Sequence, residues 1–256
     1  MVIAGWLLPS EELKIPKRAF GWTVAILVPL GCLLDVVFAQ WFFCYPNVGA
    51  TLSIRAPALG RPVPIEEYIF YFTGFHAVLL VYVWLGEFWL AAYNMPDYSG
   101  EAKKMRRLLQ FHAASLILAV ILTAAAWFYE KHLALPEDQA GFPGYFTLLV
   151  AGGLLPAVSF FPVARRFINW RALSLSLTLF FMLVSLLWEA TLAVPYNWWN
   201  YQHRQMMGLF IGAWSGLPIE GACVWIAVTY ATVIVFEVVK VLLASERSLG
   251  ETLLGS

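Results

Sequence analysis

Six long apolar stretches dominate the chain and leave it few ways to fold. They run at about 20–44, 65–92, 108–129, 143–164, 173–197 and 218–243. Each is long enough for a helix to cross a hydrocarbon layer of about 30 Å. Only 12% of the 256 residues are Asp, Glu, Lys or Arg, against about 25% in ordinary soluble domains. Because so few polar side chains cannot cover a body of this size in water, the sequence predicts an all-α polytopic membrane bundle with about six transmembrane helices.

The basic residues indicate how this bundle is oriented. Twelve of the 16 Lys and Arg residues lie in the N-terminal arm, in the loops 94–107 and 165–172, and at the C-terminal end, while four lie on the other side. Loops rich in Lys and Arg stay in the cytoplasm, so we expect both termini there and the protein in the cell membrane. Residues 1–18 lack the pattern of a signal peptide, and we expect them to form an interfacial arm. The net charge of zero gives no reason to expect a nucleic-acid partner.

The two halves of the chain, residues 1–130 and 131–256, contain matching acids and matching helix starts. Asp35 precedes Pro64 by 29 residues, and Glu189 precedes Pro218 by the same distance. A constant offset of 154 therefore superposes the two helix starts, Pro64-Ile65-Glu66-Glu67 and Pro218-Ile219-Glu220-Gly221. Four crossings separate the first span from the fifth, so the copies have the same orientation and the sequence predicts a parallel internal repeat. The two Pro-Ile-Glu corners should then face each other in the non-cytoplasmic half.

Carboxylic acids of these two copies are the candidate functional residues: Asp35, Glu66, Glu67, Glu189 and Glu220. A charge inside a span costs at least about 2.5 to 3.5 kcal/mol, so such residues usually face the bundle interior and have a function. Several carboxyls in one buried site without a matching cation would share protons, which is suitable for acid–base catalysis. Two simpler interpretations stay open, since Pro followed by Glu is also a good helix start and buried acids can form a hydrogen-bonded core network.

Two further acids lie near the cytoplasmic ends of the second and sixth spans, and we expect them to be interfacial without a chemical role. They are Glu87 and Glu237. Lys240 follows Glu237 by three residues, a spacing typical of a surface ion pair on a helix.

Several motifs are absent, and their absence narrows the chemistry. The sequence contains no GxGxxG after a strand and no GxxxxGK[ST], so a built-in nucleotide site is not expected. Four histidines without HxxxH or HxxHH do not suit a histidine-rich di-metal centre, and no DxxxD pair is present to hold Mg²⁺ on a diphosphate. A retinal Schiff base would need a lysine deep in a span, and Lys240 is too close to the membrane edge. We therefore expect no cofactor and no metal.

Carboxylic acids, aromatic rings and lipid remain, and they suit one reaction type. An acid protonates an alkene, a carbocation forms, and a base removes another proton. Aromatic faces stabilise cations, and a dry pocket keeps water from trapping them. An apolar substrate would arrive through the bilayer.

The first helix start resembles a known family signature. Pro64-Ile65-Glu66-Glu67-Tyr68-Ile69-Phe70-Tyr71 is similar to the Pro-x-Glu-Glu-x-x-Phe-[Phe/Tyr] pattern of the integral-membrane lycopene cyclase domain. This family includes two-subunit bacterial cyclases, fused archaeal forms and the cyclase half of fungal bifunctional enzymes. Leu217-Pro218-Ile219-Glu220 is similar to the partner half. The sequence departs from the pattern at Gly221, which replaces the second Glu, and at Val224-Trp225, which replaces the aromatic pair.

The resemblance implies that the linear end group of a carotenoid such as lycopene is cyclised by proton addition and loss, with no net redox change. Carried over by motif, Glu66 and Glu220 would be the leading acid–base residues, supported by Glu67, Asp35 and Glu189. It also implies a carotenoid or related isoprenoid as the substrate and possible association with other carotenoid enzymes.

Three alternatives stay open. One is another integral-membrane terpene cyclase or a carotenoid hydratase, which would use similar carboxylic-acid chemistry. A second is a proton-coupled transporter, since parallel repeats and buried acids also occur in carriers. The third is a non-catalytic subunit of a carotenoid-making complex.

Overall fold

The computed structural model describes residues 16–105 and 110–247. Most of the expected interfacial arm, residues 1–15, and the start of the expected third span, residues 108 and 109, lie outside them. The helices are α1 (Lys17–Phe42), α2 (Ile65–Trp84), α3 (Tyr98–Lys104), α4 (Ala113–Tyr129), α5 (Gly144–Leu149), α6 (Leu155–Ala164), α7 (Trp170–Phe180) and α8 (Ile219–Ser245). The strands are β1 (Phe43–Cys44), β2 (Arg55–Ala56), β3 (Val63–Pro64), β4 (Asn200–Tyr201), β5 (Phe210–Ile211) and β6 (Leu217–Pro218).

Several helices continue in the wider π form, in which each N–H bonds five residues back. These segments are Leu85–Trp89 after α2, Glu130–Ala134 after α4, Val150–Leu154 between α5 and α6, and Phe181–Ala193 after α7. The last of them forms the second half of the fifth span and contains Glu189, one of the candidate acids.

The expected all-α membrane bundle is confirmed. Five of the expected spans are helices long and apolar enough to cross a membrane: Lys17–Phe42, Ile65–Trp89, Ala113–Ala134, Trp170–Ala193 and Ile219–Ser245. The fourth span differs from the other five, because its apolar helix, Gly144–Ser159, is shorter and is interrupted by the π segment. Gly152 and Gly153 lie in that segment and Pro156 follows it, and these are the residue types that favour a regular helix least.

Helix α8 is the centre of the bundle. It packs against α1, α2, α6, α7 and the π segment of the fifth span, and it contributes Trp225, Val233, Ile234 and Phe236 to the main hydrophobic core. Because α8 belongs to the second half and α1 and α2 to the first, the two halves share one core.

Helix α1 turns one narrow face toward the bundle. Its buried residues recur about every fourth position: Ala19, Thr23, Leu27, Gly31, Asp35, Ala39 and Phe42. This spacing follows one side of a helix. Gly31 permits close packing, because a Cβ at that position would overlap the ring of Tyr71 on α2. The same face therefore carries Asp35 toward α2.

A short antiparallel ladder joins the two copies of the repeat. Phe43 pairs with Tyr201 and Cys44 pairs with Asn200, and the Asn47 amide continues the register by donating to the Asn197 carbonyl at 3.2 Å. The same register places Tyr45 opposite Trp199, its own counterpart 154 residues later. A two-fold axis between the copies gives this arrangement, so the ladder supports the parallel repeat inferred from the sequence.

Each copy also has a two-stranded hairpin just before its Pro-Ile-Glu helix start. Strand β2 pairs with β3 in the first copy, and β5 pairs with β6 in the second. The first residue of each following helix donates its amide hydrogen back to the chain before the hairpin, Ile65 to Ile54 at 3.0 Å and Ile219 to Leu209 at 2.9 Å. The hairpins therefore fix where α2 and α8 begin.

Candidate active site

A cavity of about 150 Å³ lies between the two halves, below the ladder. Its walls come from α2, α8, the π segment of the fifth span and the strands β1 and β4. Three carboxyls line it: Glu66, Glu67 and Glu189. Apolar and aromatic side chains form most of the remaining surface, so the cavity combines acids with walls that repel water.

Glu67 faces the cavity from the first turn of α2. It lies beside the hydroxyl of Tyr45, and the charges of Asp35 and Glu66 act on it. Tyr45 belongs to the connection after α1, and burial together with the negative charges of Glu67 and Asp35 raises the pKa of its hydroxyl. The Tyr45 hydroxyl is therefore a neutral O–H group beside the Glu67 carboxyl, and it forms no hydrogen bond to a described residue.

Glu189 approaches the cavity from the fifth span, and only 4% of it is exposed. It lies beside Tyr201 of β4, whose pKa is raised by burial and by the Glu189 charge. The environments of Glu67 and Glu189 are therefore alike, since each carboxyl has one protonated tyrosine at its side. Glu67 and Glu189 are also near enough to interact electrostatically.

Gly221 shows how the second copy has diverged. A Cβ at Gly221, the counterpart of Glu67, would lie 2.7 Å from the Tyr201 hydroxyl. Tyr201 therefore occupies the space in which a second-copy glutamate would begin. Gly221, where the sequence departs from the family signature, thus leaves space for the tyrosine that lies beside Glu189.

Asp35 lies behind the cavity wall. It is 3% exposed, and its Oδ1 accepts a hydrogen bond from the Tyr71 hydroxyl at 3.2 Å, while Tyr71 itself lines the cavity. Asp35 is thus one side chain removed from the space in which a ligand would bind, in a position to orient Tyr71.

Glu66 and Glu220, the leading candidates by motif, make the same type of hydrogen bond at the two Pro-Ile-Glu helix starts. Oε1 of Glu66 accepts the backbone N–H of Leu52, and Oε1 of Glu220 accepts the backbone N–H of Met207. Each bond ties the first turn of a helix to the loop that precedes its hairpin. The matched contacts indicate that these two glutamates have a common structural role.

The structure does not bring Glu220 into the cavity with the other acids. Glu220 is 1% exposed and lines a different, almost wholly apolar cavity of about 320 Å³ between α4, α5 and α8. Its charged neighbour is Glu130 at the end of the third span, a buried acid that the sequence analysis did not select. Glu130 likewise accepts a backbone N–H, from Gly141.

Four of the five candidate acids keep one buried oxygen that has no hydrogen-bond partner among the described residues: Asp35, Glu66, Glu189 and Glu220. A buried polar atom without a partner costs free energy, so such atoms require an explanation. No Lys or Arg is among the residues that line the cavity, and the described residues contain no group of three His, Cys, Asp or Glu that could hold a metal ion.

Aromatic rings form a continuous series along one side of the cavity. Trp199 contacts Trp188 at 5.5 Å between ring centroids, Trp188 contacts Phe70 at 5.3 Å, and Phe70 contacts Trp225 at 5.2 Å. Trp225 in turn stacks on Phe180 at 5.8 Å. These spacings are typical of attractive ring pairs, and the faces of such rings attract cations.

Several residues that line the cavity were not predicted to have a role, although the spacing of some could have indicated one. Tyr71 and Gly74 follow Glu67 by four and seven residues and so lie on the same face of α2. Trp188 directly precedes Glu189. Tyr145, by contrast, comes from the broken fourth span, which lies outside the repeat, and no pattern in the sequence places it there.

The expectation for Glu237 is wrong. Glu237 is buried, and it accepts hydrogen bonds from the Tyr82 hydroxyl at 2.9 Å and the Tyr98 hydroxyl at 3.1 Å. Lys240 approaches Glu87 instead, with 3.9 Å between Nζ and Oε1. Helix α3 covers the end of α8, so a position near the membrane edge becomes an interior one.

No family model, curated protein or solved structure matches the chain. Its function must therefore be inferred from its residues and their geometry.

Proposed function

We propose that this protein is an integral-membrane enzyme that cyclises the end group of a linear isoprenoid, a carotenoid such as lycopene, by acid–base catalysis. The observation that carries the proposal is the cavity between the two halves, where Glu67 and Glu189 face an aromatic-walled space. The resemblance of the Pro64–Tyr71 segment to the lycopene cyclase signature supports the same reaction.

The reaction needs one proton donor and one proton acceptor. The donor carboxyl adds a proton to a terminal carbon–carbon double bond, and a neighbouring double bond attacks the resulting cation to close the ring. A carboxylate then removes a proton from a carbon next to the new cationic centre. One proton is gained and one is lost, so the product is an isomer of the substrate and no electrons are transferred.

Glu67 and Glu189 are the residues placed for these two steps. They come from different halves and line the same cavity, and no basic residue lies among the lining residues to neutralise them. Carboxyls that interact in this way share protons rather than ionise together. The unpartnered oxygen of Glu189 is available to a reacting carbon.

The aromatic series stabilises the intermediate. A cation formed near Glu67 and Glu189 lies close to Phe70, Trp188 and Trp225, which line one side of the cavity. Ring faces attract cations more strongly where water is absent. Apolar walls also delay capture of the cation by water, which would give an alcohol instead of a ring.

Tyr45, Tyr71 and Tyr201 position the acids. Tyr71 donates to Asp35, and Tyr45 and Tyr201 lie beside Glu67 and Glu189. A phenol that donates a hydrogen bond fixes the orientation of a carboxyl without taking its charge. We assign these tyrosines a positioning role.

The proposed location follows from the distribution of basic residues. Both termini would be cytoplasmic and the cavity would lie in the outer half of the cell membrane. The substrate would reach the cavity from the bilayer, supplied by enzymes that build linear carotenoids in the same membrane. Association with such enzymes would shorten that path.

The test is expression in a bacterium that already makes lycopene, followed by pigment extraction. We expect ring-bearing products with the wild-type chain and unaltered lycopene with Glu67→Gln or Glu189→Gln. Asp97→Asn is a matched control, because this acid caps α3 through the Gly100 amide far from the cavity. Unaltered lycopene with the wild-type chain, or rings from both cavity variants, would contradict the proposal.

A further inference from the structure

The packing between α2 and the fifth span differs between the inner and the outer half of the bundle. In the inner half, α2 and its π extension pack closely on α7, where the Asn169 amide donates to the Tyr82 hydroxyl at 3.1 Å and Ala172 lies close to Gly86. In the outer half, α2 does not pack closely against the π segment Phe181–Ala193. The two elements meet there through the rings of Phe70 and Trp188.

Phe70 and Trp188 line the cavity on one side and have lipid-facing neighbours on the other. Ile69 and Leu187, the residues directly before them, are 49% and 59% exposed on the surface of the bundle. Phe70 and Trp188 are themselves partly exposed, so these two rings lie between the cavity and the surface of the bundle. Rings held by mutual contact can move by side-chain rotation, without breaking a helix.

The size of the cavity sets a second condition. An apolar cavity of about 150 Å³ holds a molecule of about the size of benzene, and the cavity here has that volume. A ring-forming end group is at least as large as benzene, so the cavity holds no more than one end group and a longer chain cannot be enclosed. The remainder of the substrate must leave the cavity through an opening in its wall.

We propose that the cavity opens sideways into the bilayer between Phe70 and Trp188, and that the unreacted part of a linear unsaturated hydrocarbon chain lies outside this portal, along the cleft between α2 and the fifth span. This inference rests on the proposed function for the nature of the chain. It adds a binding surface, formed by the lipid-facing sides of Ile69, Phe70, Leu187 and Trp188. The long π segment suits a portal, because π-helical turns commonly occur at functional sites.

The experiment locks the portal with a reversible cross-link. Phe70→Cys and Trp188→Cys are introduced together after Cys32, Cys44 and Cys223, the free cysteines of the described chain, have been changed to Ser. A disulfide-containing bifunctional thiol reagent then joins the two new cysteines in protein held in lipid nanodiscs. Lycopene binding is followed by quenching of tryptophan fluorescence, and ring formation is followed separately by product analysis.

A matched control joins the same two spans away from the cavity. A Cβ at Gly86 would lie 3.9 Å from the Cβ of Ala172, a separation that suits a disulfide. Gly86→Cys with Ala172→Cys therefore restrains the two spans at their inner ends and leaves the portal free. A monofunctional thiol reagent on the portal variant controls for added bulk.

We expect the cross-link at positions 70 and 188 to slow lycopene binding at least tenfold relative to the same variant carrying the monofunctional reagent, and reduction to reverse this. The variant linked at positions 86 and 172 should bind at the same rate in its oxidised and reduced forms. Slowed binding with no ring formation in any sample would support the portal and contradict the proposed function. Unchanged binding after cross-linking would overturn the portal. Absence of lycopene binding by the unlinked protein would overturn it as well.

Discussion

Two buried groups of carboxyls and tyrosines lie at opposite ends of the bundle, and they differ in how completely the carboxyls are bonded. At the end that contains α3, both oxygens of Glu237 accept tyrosine hydroxyls, and Lys240 lies nearby on α8. At the end that contains the ladder, Asp35 and Glu189 each retain an oxygen without a partner among the described residues.

The difference separates a structural acid from reactive ones. Glu237 joins α2, α3 and α8 through Tyr82 and Tyr98, and a fully bonded carboxyl stabilises the fold but has no free oxygen for a substrate. Near the ladder, Glu66, Glu67 and Glu189 meet at a cavity that has no Lys or Arg among its lining residues. Incomplete bonding costs stability, and this cost is typical of functional sites.

The largest expected effect is on the rate of ring formation. Glu67→Gln or Glu189→Gln should lower the single-turnover rate by about 10²- to 10⁴-fold, because each removes a group that transfers a proton. The melting temperature should change little. Rate and thermal unfolding are measured on purified protein in nanodiscs, and a rate within about threefold of wild type for both variants would remove the distinction between the two groups.

The group formed by Glu237, Tyr82 and Tyr98 should show the reverse behaviour. Glu237→Ala leaves the Tyr82 and Tyr98 hydroxyls without their acceptor, and we expect a loss of about 3 kcal/mol in unfolding free energy. The rate per folded molecule should be retained. Denaturant unfolding at low temperature measures this loss, with Glu237→Gln as the milder variant, and a stable but inactive Glu237→Ala protein would argue against a structural role.

Much of the fold could be predicted from the sequence, because its main determinants are local. Six apolar stretches and the 154-residue offset are enough for the membrane bundle and the repeat. The interruption of the fourth span is indicated by Gly152, Gly153 and Pro156. The burial of Glu237 could not be predicted, since it depends on where α3 packs.

The site was predictable only in part. The repeat identifies pairs of equivalent residues, so it made Glu66 and Glu220 equally strong candidates for acid–base catalysis. It does not say which way adjacent residues of one helix point. Glu66 and Glu67 both line the cavity, but Glu66 also accepts the Leu52 amide. Glu67 is turned from it by about 100°, and its counterpart Gly221 leaves room for Tyr201.

Filling the cavity should block the substrate without touching the acids. Gly74 lines the cavity, and a Cβ there would lie 3.2 Å from the Trp225 ring. Gly74→Leu should therefore lower ring formation by about tenfold or more, because the new side chain takes up space in a cavity of about 150 Å³ and overpacking costs about 1 to 3 kcal/mol. Gly21→Leu is the control, because Gly21 has open space around it on α1; equal losses in both variants would count against the cavity as the binding site.

The smallest effect is expected at Glu220. Gln at this position still has an oxygen to accept the Met207 amide, so Glu220→Gln should keep the corner intact and change the rate by about threefold or less, far below the effect of losing an acid–base group. Pigment analysis beside Glu189→Gln compares the two acids directly. A loss of rate as large as that of Glu189→Gln would indicate that Glu220 takes part in proton transfer.

The most direct test of the central claim follows the proton itself. Carboxyl protons exchange with water, so lycopene converted by the purified protein in D₂O should gain one deuterium for each ring formed, detected as a mass increase in the product. Deuterium-free rings would contradict proton donation by the cavity acids, and so would a failure to form rings at all.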